Sequence, residues 1–84
     1  MLTIHYFASV REALDRAEDA MELPAGVADV ADLIAHLSES NPRFKSLDGS
    51  NNPLLVAVNQ TVVDRSWKLS ENDEVAFFPP MTGG

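Results

Sequence analysis

The chain ends in Phe77-Phe78-Pro79-Pro80-Met81-Thr82-Gly83-Gly84, and this stretch decides where the folded domain stops. Its two aromatic residues complete an apolar strand. The prolines then end the sheet pairing, because proline has no backbone N–H to donate to a ladder. We therefore predict a folded domain over residues 1–78 and an extended, polyproline-like tail over residues 79–84. The tip of the tail is narrow, because neither glycine carries a Cβ atom.

Composition limits the possible functions. With 84 residues and 45% hydrophobic side chains, the chain predicts one small globular domain. It has no cysteine, which excludes disulfides, thiol nucleophiles and thiolate ligands. A net charge of −7 disfavours nucleic-acid binding and favours a basic protein partner. No apolar run is long enough to span a membrane, and the N-terminus lacks the basic region and cleavage site of a signal peptide. We therefore expect a cytoplasmic protein.

Alternation of apolar and polar residues predicts a strand at the start of the chain. Its core-facing residues are Leu2, Ile4 and Tyr6. Phe7 then falls on the outer face, which is unusual for so large an apolar side chain. Residues 8–14 follow as either a short helical turn or a loop. Residues 18–23 predict a second strand, with Met21 and Leu23 facing inward.

The next segment predicts a helix with a defined start and end. Asp29 is a favourable N-cap residue, and Asp32 stands three positions later, where the acid of a capping box belongs. The helix must end before Pro42. Its apolar face follows helical spacing and consists of Val30, Leu33, Ile34 and Leu37. Residues 41–53 are polar and rich in turn formers, so they predict a loop with its tip at residues 48–52.

Strands and turns make up the remainder. Residues 54–58 form a nearly unbroken apolar run, typical of a central strand that is buried on both faces. Asn59-Gln60 predicts a tight turn into a short strand over residues 61–63, and Glu74–Phe78 is the last strand. This order of elements predicts an α+β fold, in which one main helix packs across a mixed sheet. That arrangement is the ubiquitin-like β-grasp.

Three apolar residues fall on the outer face of the predicted sheet: Phe7, Val62 and Phe78. The first and last strands are neighbours in this fold, so Phe7 and Phe78 are expected to lie close together beside the root of the tail. A contiguous apolar patch with two aromatic rings indicates a surface for a partner. The alternative is that residues 8–14 fold over the patch.

Catalysis by side chains has little support in the sequence. His5 is expected on the outer face of the sheet, and His36 on the solvated side of the helix. No Ser/His/Asp set has the spacing of a triad. The 13 acidic residues are scattered along exposed stretches and require no metal. Trp67 is expected to pack over the sheet edge or, alternatively, to contact a partner.

Two stretches, residues 58–63 and 73–84, closely resemble the small subunit of molybdopterin synthase, the MoaD family of ubiquitin-like sulfur carriers. Residues 6–12 are similar to the opening of that family, so the resemblance covers the whole chain in length and order of elements. A terminal Gly-Gly by itself is weak evidence for membership of this family. The preceding Asp-Glu-Val-Ala-Phe-Phe-Pro-Pro makes the match specific.

The resemblance implies a carrier of sulfur that does not turn over alone and binds no cofactor of its own. An ATP-dependent enzyme of the ubiquitin-E1 type (MoeB type) would adenylate the carboxylate of Gly84. A sulfur donor would then convert it to a thiocarboxylate. The tail would insert into the large synthase subunit (MoaE), in an expected heterotetramer. There it would give sulfur to cyclic pyranopterin monophosphate, forming the dithiolene of molybdopterin for molybdenum cofactor biosynthesis.

The resemblance also implies roles for individual residues. Gly83 would let the tip thread the channel of the partner. Arg11 would make a polar contact at the rim of the docking surface. The other partner-binding residues would be Phe7, Val62, Phe78, Pro79, Pro80, Met81 and Thr82. Three alternatives stay open: a thiamine-type sulfur carrier, a ubiquitin-like modifier that forms isopeptide bonds with lysine, and a binding module with an inert tail.

Overall fold

The computed structural model describes residues 1–47 and 54–79, and over these ranges it shows one mixed five-stranded sheet and three helices. The strands are β1 (Leu2–Tyr6), β2 (Glu18–Met21), β3 (Leu55–Val58), β4 (Thr61–Val63) and β5 (Glu74–Phe78). The helices are α1 (Ala8–Leu14), α2 (Val30–Ser40) and α3 (Pro42–Leu47). The strand order is β2-β1-β5-β3-β4, with β1 and β5 parallel and the other pairs antiparallel. This confirms the predicted β-grasp fold.

A single hydrophobic core lies between the inner face of the sheet and the helices. Phe77 is at its centre and is completely buried. Its ring stacks on that of Tyr6 and meets that of Phe44 edge-on, with ring centroids 6.3 and 5.1 Å apart. The predicted inner faces of β1, β5 and α2 all contribute to this core: Leu2, Ile4, Val30, Leu33, Ile34, Leu37 and Val75.

Helix α2 begins as predicted. The Asp29 carboxylate accepts a hydrogen bond from the Asp32 backbone N–H at 2.9 Å. The Asp32 carboxylate in turn accepts one from the Ala28 backbone N–H at 3.0 Å. The return bond therefore reaches the residue before the N-cap rather than the N-cap itself. The helix ends before Pro42, where the Asn41 N–H donates to the carbonyl of Leu37.

Residues 42–47 form helix α3, so the prediction of a loop there is wrong. Pro42 occupies the first helical position, where a missing N–H costs nothing and a fixed φ favours the helix. The proline that ends α2 therefore also starts α3. Phe44 anchors this helix in the core with 1% of its surface exposed. The predicted loop tip at residues 48–52 lies outside the described residues.

Helix α1 is longer than the predicted single turn and lies on the core side of the sheet. Its buried residues are Val10 and Leu14, which belong to the hydrophobic core. The alternative in which residues 8–14 cover the outer apolar patch is therefore wrong. Among the described residues, no helix has both the length and the apolar character to cross a membrane.

The hairpin between β3 and β4 is tied to the start of β5. Asn59 and Gln60 have positive φ angles of 51° and 70°, as a two-residue hairpin turn requires, so the predicted turn is confirmed. The Asn59 amide donates to the Asp73 carboxylate and accepts from the Glu74 N–H, both at 3.0 Å. Strand β3 lies between β4 and β5, and its residues 56–58 are buried, so the predicted central strand is confirmed. The middle position of the five strands belongs to β5.

Candidate functional site

The outer face of the sheet exposes a pair of stacked aromatic rings. Phe7 follows β1 and Phe78 ends β5, and their ring centroids are 4.8 Å apart with planes tilted by only 7°. Phe7 remains 43% exposed, and Val62 on β4 is 70% exposed. The structure therefore brings Phe7 and Phe78 together on the face that carries no helix, as the strand order requires.

A shallow groove of about 460 Å³ lies beside this aromatic pair. We call it the outer-face groove, and its lining residues are His5, Phe7, Ala57, Gln60, Val62, Glu74, Ala76 and Phe78. Ala57 pairs directly with Ala76 on β5 and with Val62 on β4, so the three side chains form one row across the sheet. The two alanines make the groove concave, because their neighbours in the lining have larger side chains. Sequence reasoning missed this floor, although small outward residues on two adjacent strands were a usable signal.

The groove has an acidic rim on the side of β2. His5 lies on the outer face, as predicted, between two glutamates. Its Nδ1 is 3.8 Å from a carboxylate oxygen of Glu18, and its Nε2 is 3.4 Å from one of Glu74. Both glutamate side chains are at least half exposed. The rim therefore presents two solvated carboxylates next to an apolar surface.

Pro79 lies where the chain leaves the sheet, directly after the groove residue Phe78, and it is half-buried. The predicted roles of the following residues fall outside the described residues: Pro80, Met81, Thr82, Gly83 and Gly84. Arg11 is exposed on α1 and does not line the outer-face groove. It lines a separate hollow beside Asp15 and Arg16. The structure thus brings the apolar residues together in one groove, and Arg11 lines the separate hollow instead.

A second cleft, of about 350 Å³, opens on the helix side of the sheet. The Tyr6 hydroxyl donates to the Asp19 carboxylate at 2.9 Å, and Arg16 donates to both oxygens of the same carboxylate at 2.7 and 2.9 Å. These polar groups satisfy one another, so they tie β1 to β2 rather than offering free ligand groups. His36 is half-buried and lines this cleft, in contrast to the solvated position that the sequence predicted. Within residues 1–47 and 54–79, no cluster of three His, Cys, Asp or Glu residues could hold a metal ion.

Burial raises the pKa of Tyr6 well above its ordinary value, and the hydrogen bond to Asp19 adds to the effect. The folded protein therefore keeps the phenol proton at a pH where the unfolded chain, with a pKa of about 10, releases it. By linkage, the free energy of unfolding decreases as the pH rises above about 10. We expect Tyr6→Phe to lose less stability over that range than the unchanged chain, as measured by urea unfolding.

Absorbance gives a direct check, because the chain contains a single tyrosine. Tyrosinate absorbance is expected to appear together with unfolding. Its appearance near pH 10 in protein that circular dichroism shows to be folded would contradict the raised pKa of Tyr6.

Comparison with known sequences places the chain in a family. The model of the ThiS family matches residues 4–84. The molybdopterin synthase sulfur carrier subunit of Escherichia coli is 42% identical over 100% of both chains, and that of Haemophilus influenzae is 36% identical, again over 100% of both. The subunit of that name from Mycobacterium tuberculosis is 34% identical over 99% of this chain and 96% of its own. The resemblance found in the sequence is thereby confirmed.

Solved structures agree with this placement. A Pyrococcus furiosus protein described as subunit 1 of a molybdopterin converting factor superimposes with a TM-score of 0.78, at 30% identity over 95% of this chain and 97% of its own. The small archaeal modifier protein SAMP1 of Haloferax volcanii has the same TM-score of 0.78 at 24% identity, over 99% of this chain and 98% of its own. That second likeness shows the fold alone. From its sequence matches along the whole chain and its β-grasp fold, the chain belongs to the ThiS family.

Proposed function

We propose that the chain is the sulfur carrier subunit of a molybdopterin synthase and that it carries sulfur as a thiocarboxylate on Gly84. The observation that supports this most strongly is the match to the E. coli subunit of that name. It extends over 100% of both chains and therefore includes Gly83-Gly84. The composition agrees, because a chain without cysteine must carry reactive sulfur elsewhere than on a side-chain thiol.

Loading of sulfur on Gly84 requires activation, because a carboxylate is a poor electrophile. In the proposed first step, a carboxylate oxygen of Gly84 attacks the α-phosphorus of ATP and pyrophosphate leaves, which gives an acyl-adenylate. In the second step, the sulfur of a sulfide-level donor attacks the acyl carbon. The new C–S bond replaces the C–O bond to AMP, and AMP leaves. The E1-like activating enzyme supplies the ATP site, and this chain supplies the acyl group.

Delivery of the sulfur requires the large synthase subunit, with which the chain would form a heterotetramer. The thiocarboxylate sulfur attacks a carbon of cyclic pyranopterin monophosphate, and the new C–S bond replaces a C–O bond of that carbon, whose oxygen leaves. Water then cleaves the acyl C–S bond and regenerates the Gly84 carboxylate. The substrate-binding groups are assigned to the large subunit, because none of the residues that line the outer-face groove is a buried charged side chain. The contribution of this chain is to carry the reactive end on the residues that follow its docking surface.

The outer-face groove is the proposed docking surface for both the large subunit and the activating enzyme. Phe7 and Val62 are exposed, and Phe78 connects the surface directly to the tail at Pro79. Exposed aromatic and aliphatic side chains around a concave floor are typical of protein interfaces. A partner that covers this groove is therefore also in position to receive the residues that follow Pro79.

The test is intact-mass spectrometry after incubation with ATP, magnesium, an E1-like activating enzyme and a sulfide source. We expect a mass increase equal to the replacement of one oxygen by sulfur, localised to the C-terminal peptide. The matched control omits ATP and is expected to show no change. A chain with an intact tail that never gains this mass would refute the proposed chemistry.

Further arms of the experiment separate the alternatives. Adding the large subunit and cyclic pyranopterin monophosphate is expected to give molybdopterin. Sulfur transfer to a thiamine precursor instead would identify a thiamine-type carrier. Conjugates of the chain with lysines of many cellular proteins would identify a modifier. Unchanged function after removal of the tail would identify a simple binding module.

A further inference from the structure

The floor and rim of the outer-face groove differ in chemistry, and together they specify what can occupy it. We propose that the groove receives one bulky apolar side chain of the large synthase subunit over Ala57 and Ala76, with an adjacent Arg or Lys that pairs with Glu74 and Glu18. The inference rests on the proposed function, which supplies the partner. It adds the chemistry of the partner segment that this chain recognises.

The floor of the groove is formed by two small side chains, which leave room above them for a side chain of a partner. Ala57 is 6% exposed. It pairs with Ala76 on the outer face and does not belong to the cluster of core residues between the sheet and the helices. Its paired neighbour Ala76 is half-buried on the same face. Side chains larger than alanine at these two positions would fill the groove up to the height of the Phe7 and Phe78 rings. A volume of about 460 Å³ is ample for one leucine, methionine or aromatic side chain together with part of its neighbours.

The rim specifies the sign of the charge beside that apolar side chain. Glu18 and Glu74 face the groove side of β2 and β5, and their side chains are 63% and 50% exposed. Over residues 1–47 and 54–79, the ion-pairing partner shown for both glutamates is His5, so neither is neutralised there by Arg or Lys. A guanidinium or ammonium group from a partner can therefore pair with these carboxylates without displacing an Arg or Lys of this chain.

Electrostatic complementarity favours a basic occupant over a neutral one. The chain has a net charge of −7, which attracts a basic surface at long range and repels an acidic one. Apolar contact over the alanine floor then provides most of the binding free energy, and the rim fixes the register of the partner segment. An acidic group in the same place would meet two like charges.

The shape of the floor is tested by filling it. We expect Ala76→Leu to weaken binding to the large subunit by about tenfold or more, because the new side chain occupies the place of the partner's own. The matched control is Ala20→Leu, which adds the same volume at an exposed position of β2 on the same sheet face, outside the groove. Isothermal titration calorimetry measures both variants, and thermal unfolding confirms that each is folded. Equal affinities for Ala76→Leu and the unchanged chain would overturn the alanine floor as a binding pocket.

The rim is tested by neutralising it. The double variant Glu18→Gln/Glu74→Gln is expected to associate with the large subunit about tenfold more slowly at low salt. The difference is expected to disappear at about 1 M salt, where charges are screened within a few ångströms. The control Glu39→Gln/Glu71→Gln removes the same charge from exposed sites away from the groove and is expected to have a much smaller effect. Equal rates for the rim variant and this control would overturn the basic occupant.

These binding measurements and the loading of Gly84 have separate readouts. If the rim and floor variants behave as the controls do while the C-terminal thiocarboxylate still forms, the inference fails and the proposed function stands. If no thiocarboxylate forms while the unchanged chain binds as described, the sulfur chemistry fails and the groove assignment stands. An unchanged chain that does not bind the large subunit at all would overturn the inference.

Discussion

Deletion of Gly84 is expected to abolish molybdopterin formation while leaving the domain folded. The deletion draws the terminal carboxylate back by one residue, about 3.3–3.6 Å in an extended chain. Catalytic groups on a partner tolerate little misplacement, and about 1 Å can already cost 10²-fold. The fold is expected to persist, because the last residue of the described core is Phe77. The measurement is the yield of molybdopterin in the reconstituted synthase, with thermal unfolding as the check on the fold.

Two further variants test whether the position of the terminal carboxylate and the width of the tail explain the loss of molybdopterin formation. A chain extended by one additional glycine has the same tail chemistry but a displaced carboxylate, and it is expected to be equally inactive. Gly83→Phe keeps the length but adds a side chain that a narrow channel excludes, so it is expected to fail as well. Molybdopterin formation by the Gly84 deletion would refute the assignment of this residue as the sulfur carrier.

Phe78→Asp is expected to weaken binding to the large subunit roughly thirtyfold or more, as truncation of a central interface residue does. The charge would lie beside Phe7 in an apolar part of the groove, where it could not be solvated in the complex. The free protein is expected to lose only about 1 kcal/mol, mainly the ring stacking with Phe7, because Phe78 lies outside the core. Calorimetric titration gives the affinity, and urea unfolding gives the stability.

The neighbouring residues of Phe78 provide matched controls. Phe77→Ala removes the same type of ring from the opposite face of β5, and it is expected to cost about 3–5 kcal/mol of stability. Val62→Asp alters a side chain that is 70% exposed, so its stability is expected to stay within about 0.5 kcal/mol while binding falls. A Phe78→Asp protein with a large loss of stability and unchanged affinity would contradict the docking role of this residue.

Most of the fold could be predicted because its signals are local. Helix α2 has an acidic cap, a regular apolar face and a proline after its end, so each part of the prediction has an independent cause. The alternation of side chains along β1 and β5 is sufficient to place Phe7 and Phe78 on one face. The candidate docking surface follows from that alternation together with the strand order.

The parts that could not be predicted depend on contacts between distant segments. Helix α3 has only six residues, which is too short for helical spacing to be visible, and Phe44 forms it by reaching the core. The sequence also could not show on which face of the sheet α1 packs, because that depends on the burial of Val10 and Leu14. The acidic rim was missed because Glu18 and Glu74 are brought together only by the pairing of three strands.

The position of β5 in the middle of the sheet has a consequence for the kinetics of folding. Thr3 pairs with Glu74 and Tyr6 with Phe77, so the central ladder joins the two ends of the domain. Until residues 74–78 have been synthesised, β1 and β3 each lack a neighbour, and the aromatic centre of the core is missing. Closing such a long loop is entropically costly and makes folding slower than in helical proteins of the same size. The sheet can therefore be completed only after β5 has been made, and intermediates that expose the edges of β1 and β3 are expected to be the most prone to aggregation.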